Sequence, residues 1–461
     1  MHLEDHKLRE MPPAPRLRDL IGPSFILLGL GLGSGELVLW PYLSGNYGMG
    51  IIWAAVLGVT LQFFMNMEIE RYALARGESI FVGFARLSRF LPFWFIFSTL
   101  IPWIWPGIIA SSSVLLGSLL GIENTALFSV ILLVLVGLIL TLGPVLYKTQ
   151  EFFQKAVLLF GTPFILILSF LVARAPDWQA LGLGIVGRGD GYLFLPAGIP
   201  MALLLAAIAY AGAGGNLNLA QSFYVKEKGF GMGKYAGRIT SLITGKVEEI
   251  KITGSKFGND PDQIKRFRDW WRLVNIEHGI IFWLMGTVTI VLLAFLAYVS
   301  TYGQGGANDI TFIIKEAVIL GQRTSPVIGK VFLALAGVML FSTQLGVMDT
   351  TSRVLTENLT LTSQKHFPVG SIRRNFYVFL WLQIILGIII IALGFTQPLT
   401  LLVLAAVLNA GAMFVHIALT LWLNLTRLEA GTRPGVFRVA VLGFAFLFFG
   451  FFTIRTIVEF I

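Results

Sequence analysis

The chain has 461 residues, of which 13% are charged and 56% apolar, with 38 Phe and no Cys. Soluble domains carry roughly a quarter charged residues, so this composition describes an integral membrane protein and excludes a disordered chain, a disulfide scaffold and a thiolate metal site. The net charge of +9, which would suggest nucleic acid for a soluble domain, is read as basic loops that hold a membrane topology, with no nucleic-acid partner.

The first twenty residues mix both charge signs and lack the apolar core and cleavage site of a signal peptide, so 1–20 reads as a cytosolic tail. A spanning helix needs about 20 apolar residues. Such segments lie near 21–46, 49–69, 92–121, 125–145, 152–174 and 193–222. After a polar gap come 278–300, 326–348, 375–396, 399–424 and 436–460, with Thr396, Gln397 and Pro398 dividing the ninth from the tenth. The expectation is a single transmembrane domain of eleven spans over 1–461.

The one sizeable soluble element is a cytosolic loop over 224–277. Within it Lys246 to Phe257 alternates weakly and predicts a small hairpin around Thr253-Gly254. Asp260-Pro261 reads as an N-cap followed by a first-turn proline. The helix it starts sets Ile264, Phe267, Trp270 and Trp271 beside Lys265, Arg266, Arg268 and Arg272. That pattern predicts an amphipathic helix at the inner leaflet in preference to a nucleic-acid surface. Lys and Arg number 28 on the tail's side of the alternating loops and five on the other. The N-terminus is therefore expected in the cytoplasm and the C-terminus outside, in a plasma or bacterial inner membrane.

The first span reads GLGLGSGELVLWPYLSGNYG from Gly29, and the sixth AAIAYAGAGGNLNLAQSF from Ala206. Each sets small residues in mid-membrane, where every Gly costs a helix about 1 kcal/mol. Close helix packing through Gly29/Gly33 and Gly31/Gly35 is the simpler reading of either cluster alone. Two clusters heading two blocks of five spans instead fit a 5+5 inverted repeat with broken first and sixth helices, the eleventh span being an appendage. Unwound backbone is tolerated in a bilayer only where it lines a cavity or is buried, so the breaks mark the site.

Glu36 is the one carboxylate placed in mid-span, at a cost of roughly 3 kcal/mol on insertion scales. With no Lys or Arg evident to pair it, Glu36 reads as a substrate ligand or proton carrier. Backbone carbonyls near Ala211 and Gly212 are expected to face it, with Asn216 close by. In the tenth span Ala405, Asn409, Ala412 and His416 share one helical face. Asn409 either completes an oxygen-rich site or makes an interhelical hydrogen bond. His416 reads as a satisfied neutral histidine, with proton relay as the alternative. Asp349 and Arg353, four apart, read as a local ion pair.

These residues resemble the Nramp (natural resistance-associated macrophage protein) divalent metal transporters, which have the LeuT fold. The family's first-span Asp-Pro-Gly-Asn falls on Gly33-Ser34-Gly35-Glu36, and Asn46-Tyr47-Gly48 follows at the family's spacing. Gly50 to Gln62 is similar to the family's second span, and its sixth-span Met-Pro-His-Asn-Leu falls on Ala213-Gly214-Gly215-Asn216-Leu217. The resemblance covers nearly the whole chain in span order. It implies an all-α LeuT-like fold and transport of divalent metal by alternating access.

The departures alter the implied site. The family's metal-binding aspartate is Gly33 here, its asparagine Glu36, its methionine Ala213 and its sixth-span histidine Gly215; its third-span acidic positions are Gly107 and Ala110. What carries over is a scaffold, with Gly33, Ser34, Glu36, Ala211, Gly212, Ala213, Asn216 and Asn409 around the substrate and His416 as a possible relay. Losing the thioether moves such a site towards hard cations such as Mg²⁺ or Mn²⁺. Nramp-related magnesium transporters are the nearest functional analogy, although their motif is absent too. Losing the titratable groups implies weak or no proton coupling. The metal would be substrate, with no cofactor, and the bilayer the other partner; the oligomeric state stays open, a monomer being compatible. A LeuT-fold carrier of an amino acid or other organic ion is the alternative, and a non-transporting sensor acting through the loop is another. The chain holds no GxxxxGK[ST], GxSxG or HExxH motif, so no enzymatic activity is expected.

Overall fold

A computed structural model describes residues 3–17, 20, 22–142, 146–236, 252–304 and 309–460. Among them, ten helices are long and apolar enough to cross a membrane. The eleventh crossing is the sixth span, which escapes that measure because it is in pieces: Met201–Ala209, Gly215–Ala220 and Gln221–Lys228. The protein is thus a multi-pass membrane protein, with helices also at Ile80–Leu87, Ala175–Ile185 and Phe312–Arg323 between spans.

Several boundaries move for identifiable reasons. The second span runs from Met49 to Arg76, past the expected end at 69, because its terminal charges are paired. Arg71 donates to Glu68 at 2.7 Å, Arg438 reaches Glu68 at 3.4 Å, and Arg76 lies 3.0 Å from Glu429. The third span, expected to be continuous, divides into Leu91–Trp103 and Gly107–Leu120. Pro106 explains the division, since a proline disfavours helix in the residue before it and contributes no N–H. The ninth span ends at Ala392 and the tenth begins at Pro398, as the Thr396-Gln397-Pro398 signal predicts.

The helix beginning at Pro261 is not a separate interfacial element. Asp260 caps it, accepting from the Gln263 N–H at 3.1 Å, and it continues for 41 residues to Thr301 as the seventh span. A π-helical stretch, Gly279–Met285, lies within it. Its aromatic face packs on protein. Phe267 stacks on Phe257, Trp270 lies 5.6 Å from Phe230, and the Arg71 guanidinium sits 3.9 Å above Trp271.

What covers that helix is the N-terminal segment, which runs across one end of the bundle, here termed the tail side. The Met11 N–H donates to Gln263 Oε1 at 2.6 Å, Trp270 donates to the Pro12 carbonyl at 2.8 Å, and Tyr235 donates to the Glu10 carbonyl at 2.9 Å. Of the expected hairpin, residues 246–251 lie outside the described residues. Ser255 and Lys256 do not fold back on a neighbouring strand; they pair in parallel with Lys7 and Leu8.

Glu78, fully buried in the connection after the second span, joins this segment to the bundle. His6 Nε2 lies 3.0 Å away, Arg86 Nε 3.1 Å, the Tyr72 hydroxyl 2.7 Å and the Gly254 N–H 2.8 Å. Burial alone would raise its pKa, but the His6 contact and the Arg86 charge outweigh burial and hold it at about 2. Because the folded value lies below the unfolded one, the contribution is full above about pH 4.5 and fades as pH falls towards 2, a total of about 3 kcal/mol by linkage. Thermal unfolding of wild type and Glu78→Gln should therefore differ most near pH 7 and converge between pH 4.5 and 3. A gap that stays constant down to pH 3 would contradict this.

Candidate functional site

The first span consists of a helix Pro23–Gly31, a turn at Leu32 and Gly33, a π-helical stretch Gly35–Leu39 and a helix Trp40–Tyr47. In the sixth span, Tyr210 to Gly214 follow no helix, and Gly214 and Gly215 take φ of 75° and 56°. Those angles suit glycine and explain why the helix stops there.

The two breaks touch. A Cβ on Gly35 would lie 1.6 Å from the Tyr210 carbonyl oxygen, and one on Gly31 would lie 2.7 Å from the Gly212 carbonyl. Backbone meets backbone at both points, which no larger residue permits. Unwound backbone in a bilayer must find partners, and neighbouring spans supply them. Gln62 of the second span donates to the Ile208 and Ala209 carbonyls at 3.3 and 3.0 Å and accepts from the Gly214 N–H at 3.4 Å. From the tenth span, Asn409 donates to the Tyr210 hydroxyl at 3.0 Å, and His416 Nε2 lies 3.1 Å from the Gly215 carbonyl. Trp103 stacks on the Tyr210 ring at 5.6 Å.

Glu36 is wholly buried, and neither of its carboxylate oxygens has a hydrogen-bond partner among the described residues. It faces the seventh span: a Cβ on Gly286, where the π-helical stretch ends, would come within 3.9 Å of Glu36 Oε1. An isolated carboxylate in such surroundings is costly unless a proton or a cation accompanies it. Ser34, Ala211 and Ala213 are at most 2% exposed. Gly33 packs against Thr343, whose hydroxyl donates to the Gly29 carbonyl at 3.1 Å and so satisfies the end of the first-span helix.

Asn216 does not join this group. Its amide donates to Ser98 at 2.8 Å and Thr99 at 2.9 Å, both on the third span, and no hydrogen bond links it to Glu36. Asn409 and His416 likewise grip the sixth-span break and form no hydrogen bond to the carboxylate. Gly107 abuts the backbone of Leu401 and Leu402 of the tenth span. Asp349 and Arg353 pair at 2.9 Å, and Arg353 also donates to Glu227, so the local pair is a buried three-residue cluster.

The sequence reading overlooked a polar stripe on the second span. Gln62, Asn66 and Glu70 recur every four residues, hence on one face, and all are buried. That spacing was a usable signal, but placing the span's end at 69 left Glu70 in a loop. Glu277, expected in the loop, is also buried within a span and accepts from the Ser24 hydroxyl. Among the described residues no group of three or more His, Cys, Asp or Glu is arranged to hold a metal. A cation at Glu36 would therefore be held by one carboxylate and neutral oxygens.

No protein-family model and no curated protein matches the chain. Its fold, however, is similar to that of solved transporters. Crystal structures of a manganese transporter from Eremococcus coleocola superpose with a TM-score of 0.72 at 15% identity, covering 98% of this chain and 90% of that one. The same transporter in complex with an aromatic bis-isothiourea compound superposes equally well, with a TM-score of 0.72 at 14% identity and coverage of 99% and 90%. A nucleobase-cation-symport-1 family transporter, Mhp1, in a closed conformation with bromovinylhydantoin bound, gives a TM-score of 0.52 at 14% identity, covering 95% and 93%. The chain has an all-α LeuT-like membrane fold, a 5+5 inverted repeat whose first and sixth helices are broken.

Proposed function

We propose that the chain is an alternating-access transporter of hard divalent cations of the Mg²⁺ or Mn²⁺ type, with Glu36 as its charged ligand. The observation that carries this reading is the wholly buried Glu36, without a hydrogen-bond partner among the described residues, next to two mutually facing backbone breaks. Hard divalent ions take about six oxygen ligands, which the Ser34 hydroxyl and unwound backbone at Gly33, Ala211, Gly212 and Ala213 would supply beside one carboxylate. The absence of a thioether at Ala213 favours the hard ions over softer ones. The likeness to a manganese transporter supports the same class. Asn409 and His416 serve this site by fixing the break at Tyr210 and Gly215. The excess of Lys and Arg on the tail side supports a cytoplasmic N-terminus and an external C-terminus.

Purified protein in liposomes tests the reading through uptake of Mg²⁺, Mn²⁺, Ca²⁺ and a panel of amino acids, each with and without a proton gradient. Uptake of Mg²⁺ or Mn²⁺ is expected, with rates changing less than about twofold when the gradient is imposed. The basis is a third span whose Gly107 and Ala110 cannot exchange protons at accessible pH. Amino-acid uptake without metal uptake would overturn the metal reading. Lumenal acidification in step with metal entry would overturn proton independence.

A further inference from the structure

Four segments converge on the tail side of the Glu36 site, each bringing a buried polar group. The second span contributes Asn66 and Glu70, the sixth Asn218 and Gln221, the seventh Glu277, and the first its opening turn at Ser24. Their contacts fix how they face one another. Gln221 donates to Glu70 Oε2 at 3.1 Å, which brings the Asn66–Glu70 face of the second span against the Asn218–Gln221 face of the sixth. Glu277 accepts from the Ser24 hydroxyl and from the backbone N–H groups of Gly22 and Ser24, and its charge acts on Glu70.

What remains unsatisfied is a set of five oxygens and two amide nitrogens. Glu70 Oε1, Glu277 Oε1, Gln221 Oε1 and both polar atoms of Asn66 and Asn218 have no hydrogen-bond partner among the described residues, although every one of these side chains is at most 3% exposed. Lys228 supplies Glu277 with a partial counter-charge. Two carboxylates whose charges repel, beside amides without partners, leave five acceptor oxygens against two donor nitrogens. A purely structural network would place donors opposite them. Oxygen-only donors with two negative charges match a hard divalent cation.

We propose that Glu70 and Glu277, with the amide oxygens of Gln221, Asn66 and Asn218, form a second divalent-cation site between Glu36 and the tail side. Gln62, which holds the sixth-span break that meets Gly35, and Glu70 are separated along the continuous second-span helix by about 12 Å at 1.5 Å per residue, so the two sites are separate. Gln62 lies one turn further along the same second-span face, where it holds the sixth-span break, so the polar stripe leads from the break to the second site. The site is a station on the route between Glu36 and the tail side, and the inference rests on the reading of the chain as a carrier of divalent cations.

Counting bound Mn²⁺ by electron paramagnetic resonance on the purified full-length chain in detergent tests it. Wild type is expected to bind two ions per chain, Glu36→Gln one, Glu70→Gln one and the double variant none, with Glu277→Gln behaving as Glu70→Gln. Gel-filtration and thermal-melting profiles check that each variant folds. Should Glu70→Gln fail to fold, Gln221→Leu keeps both carboxylates and should weaken the second ion about tenfold. One ion per chain, lost in Glu36→Gln and untouched by Glu70→Gln and Glu277→Gln, would overturn the second site and leave the transporter reading intact. No bound ion in wild type would overturn both.

Discussion

Glu36→Gln is expected to abolish divalent-cation uptake into liposomes while leaving expression normal and thermal stability in metal-free buffer at or above that of wild type. The substitution keeps the side chain's shape and removes its charge. That charge is buried without a hydrogen-bond partner among the described residues, so it costs the empty protein stability unless a bound ion or proton accompanies it. A charge-assisted contact is worth roughly 1.5–3 kcal/mol, and about 2.8 kcal/mol corresponds to a hundredfold change in affinity. Uptake should fall by about two orders of magnitude. Wild-type flux from the Gln variant, or a variant that is strongly destabilised, would make the carboxylate structural and remove the central ligand from the mechanism.

Gly35→Ala should be the most damaging added methyl group among the described glycines. The Cβ it adds would lie 1.6 Å from the Tyr210 carbonyl oxygen, and backbone on both sides leaves no flexible side chain to yield. Overpacking usually costs 1–3 kcal/mol; separating two spans at the point where both are broken should cost about 3 kcal/mol or more and eliminate transport. Gly182→Ala is the matched control. It lies in the Ala175–Ile185 helix with nothing within 4 Å of the added carbon, so the better helix former should stabilise by up to about 1 kcal/mol. Equal melting temperatures for the Gly35 variant and wild type would refute the contact.

Both residues were legible before any coordinates: Glu36 because a carboxylate stands alone in an apolar run, and Gly35 because small residues cluster where a helix tolerates them badly. The eleven spans were legible for the same reason, as length and hydropathy leave few alternatives in a bilayer. What could not be read was which neighbour each polar side chain chooses. Asn216 sits next to the sixth-span break in sequence, yet it bonds to Ser98 and Thr99 across from it, and nothing local encodes that choice. The helix from Pro261 to Thr301 was misjudged because its basic first half reads as surface. Its polar contacts, through Gln263, Arg266 and Trp270, are with residues some 250 positions earlier in the chain. Glu70 and Glu277 were missed through their charge, which led the reading to end one span and begin another at residues that are buried inside helices.

The covering of the seventh-span helix by the N-terminal segment also dictates an order of events. Gln263, Arg266 and Trp270 hold Met11 and Pro12 across separations of 252 to 258 residues. The segment is made first, yet its docking partners emerge only after six spans have been synthesised. Contacts this distant in sequence form late. During biosynthesis the opening of the first span thus waits without its cover until the seventh span has been made. The same arithmetic runs backwards on unfolding. The segment is held by a few hydrogen bonds, worth about 1 kcal/mol each, and by the His6–Glu78 contact, far less than the apolar core, so a protease or hydrogen exchange would find residues 3–17 first.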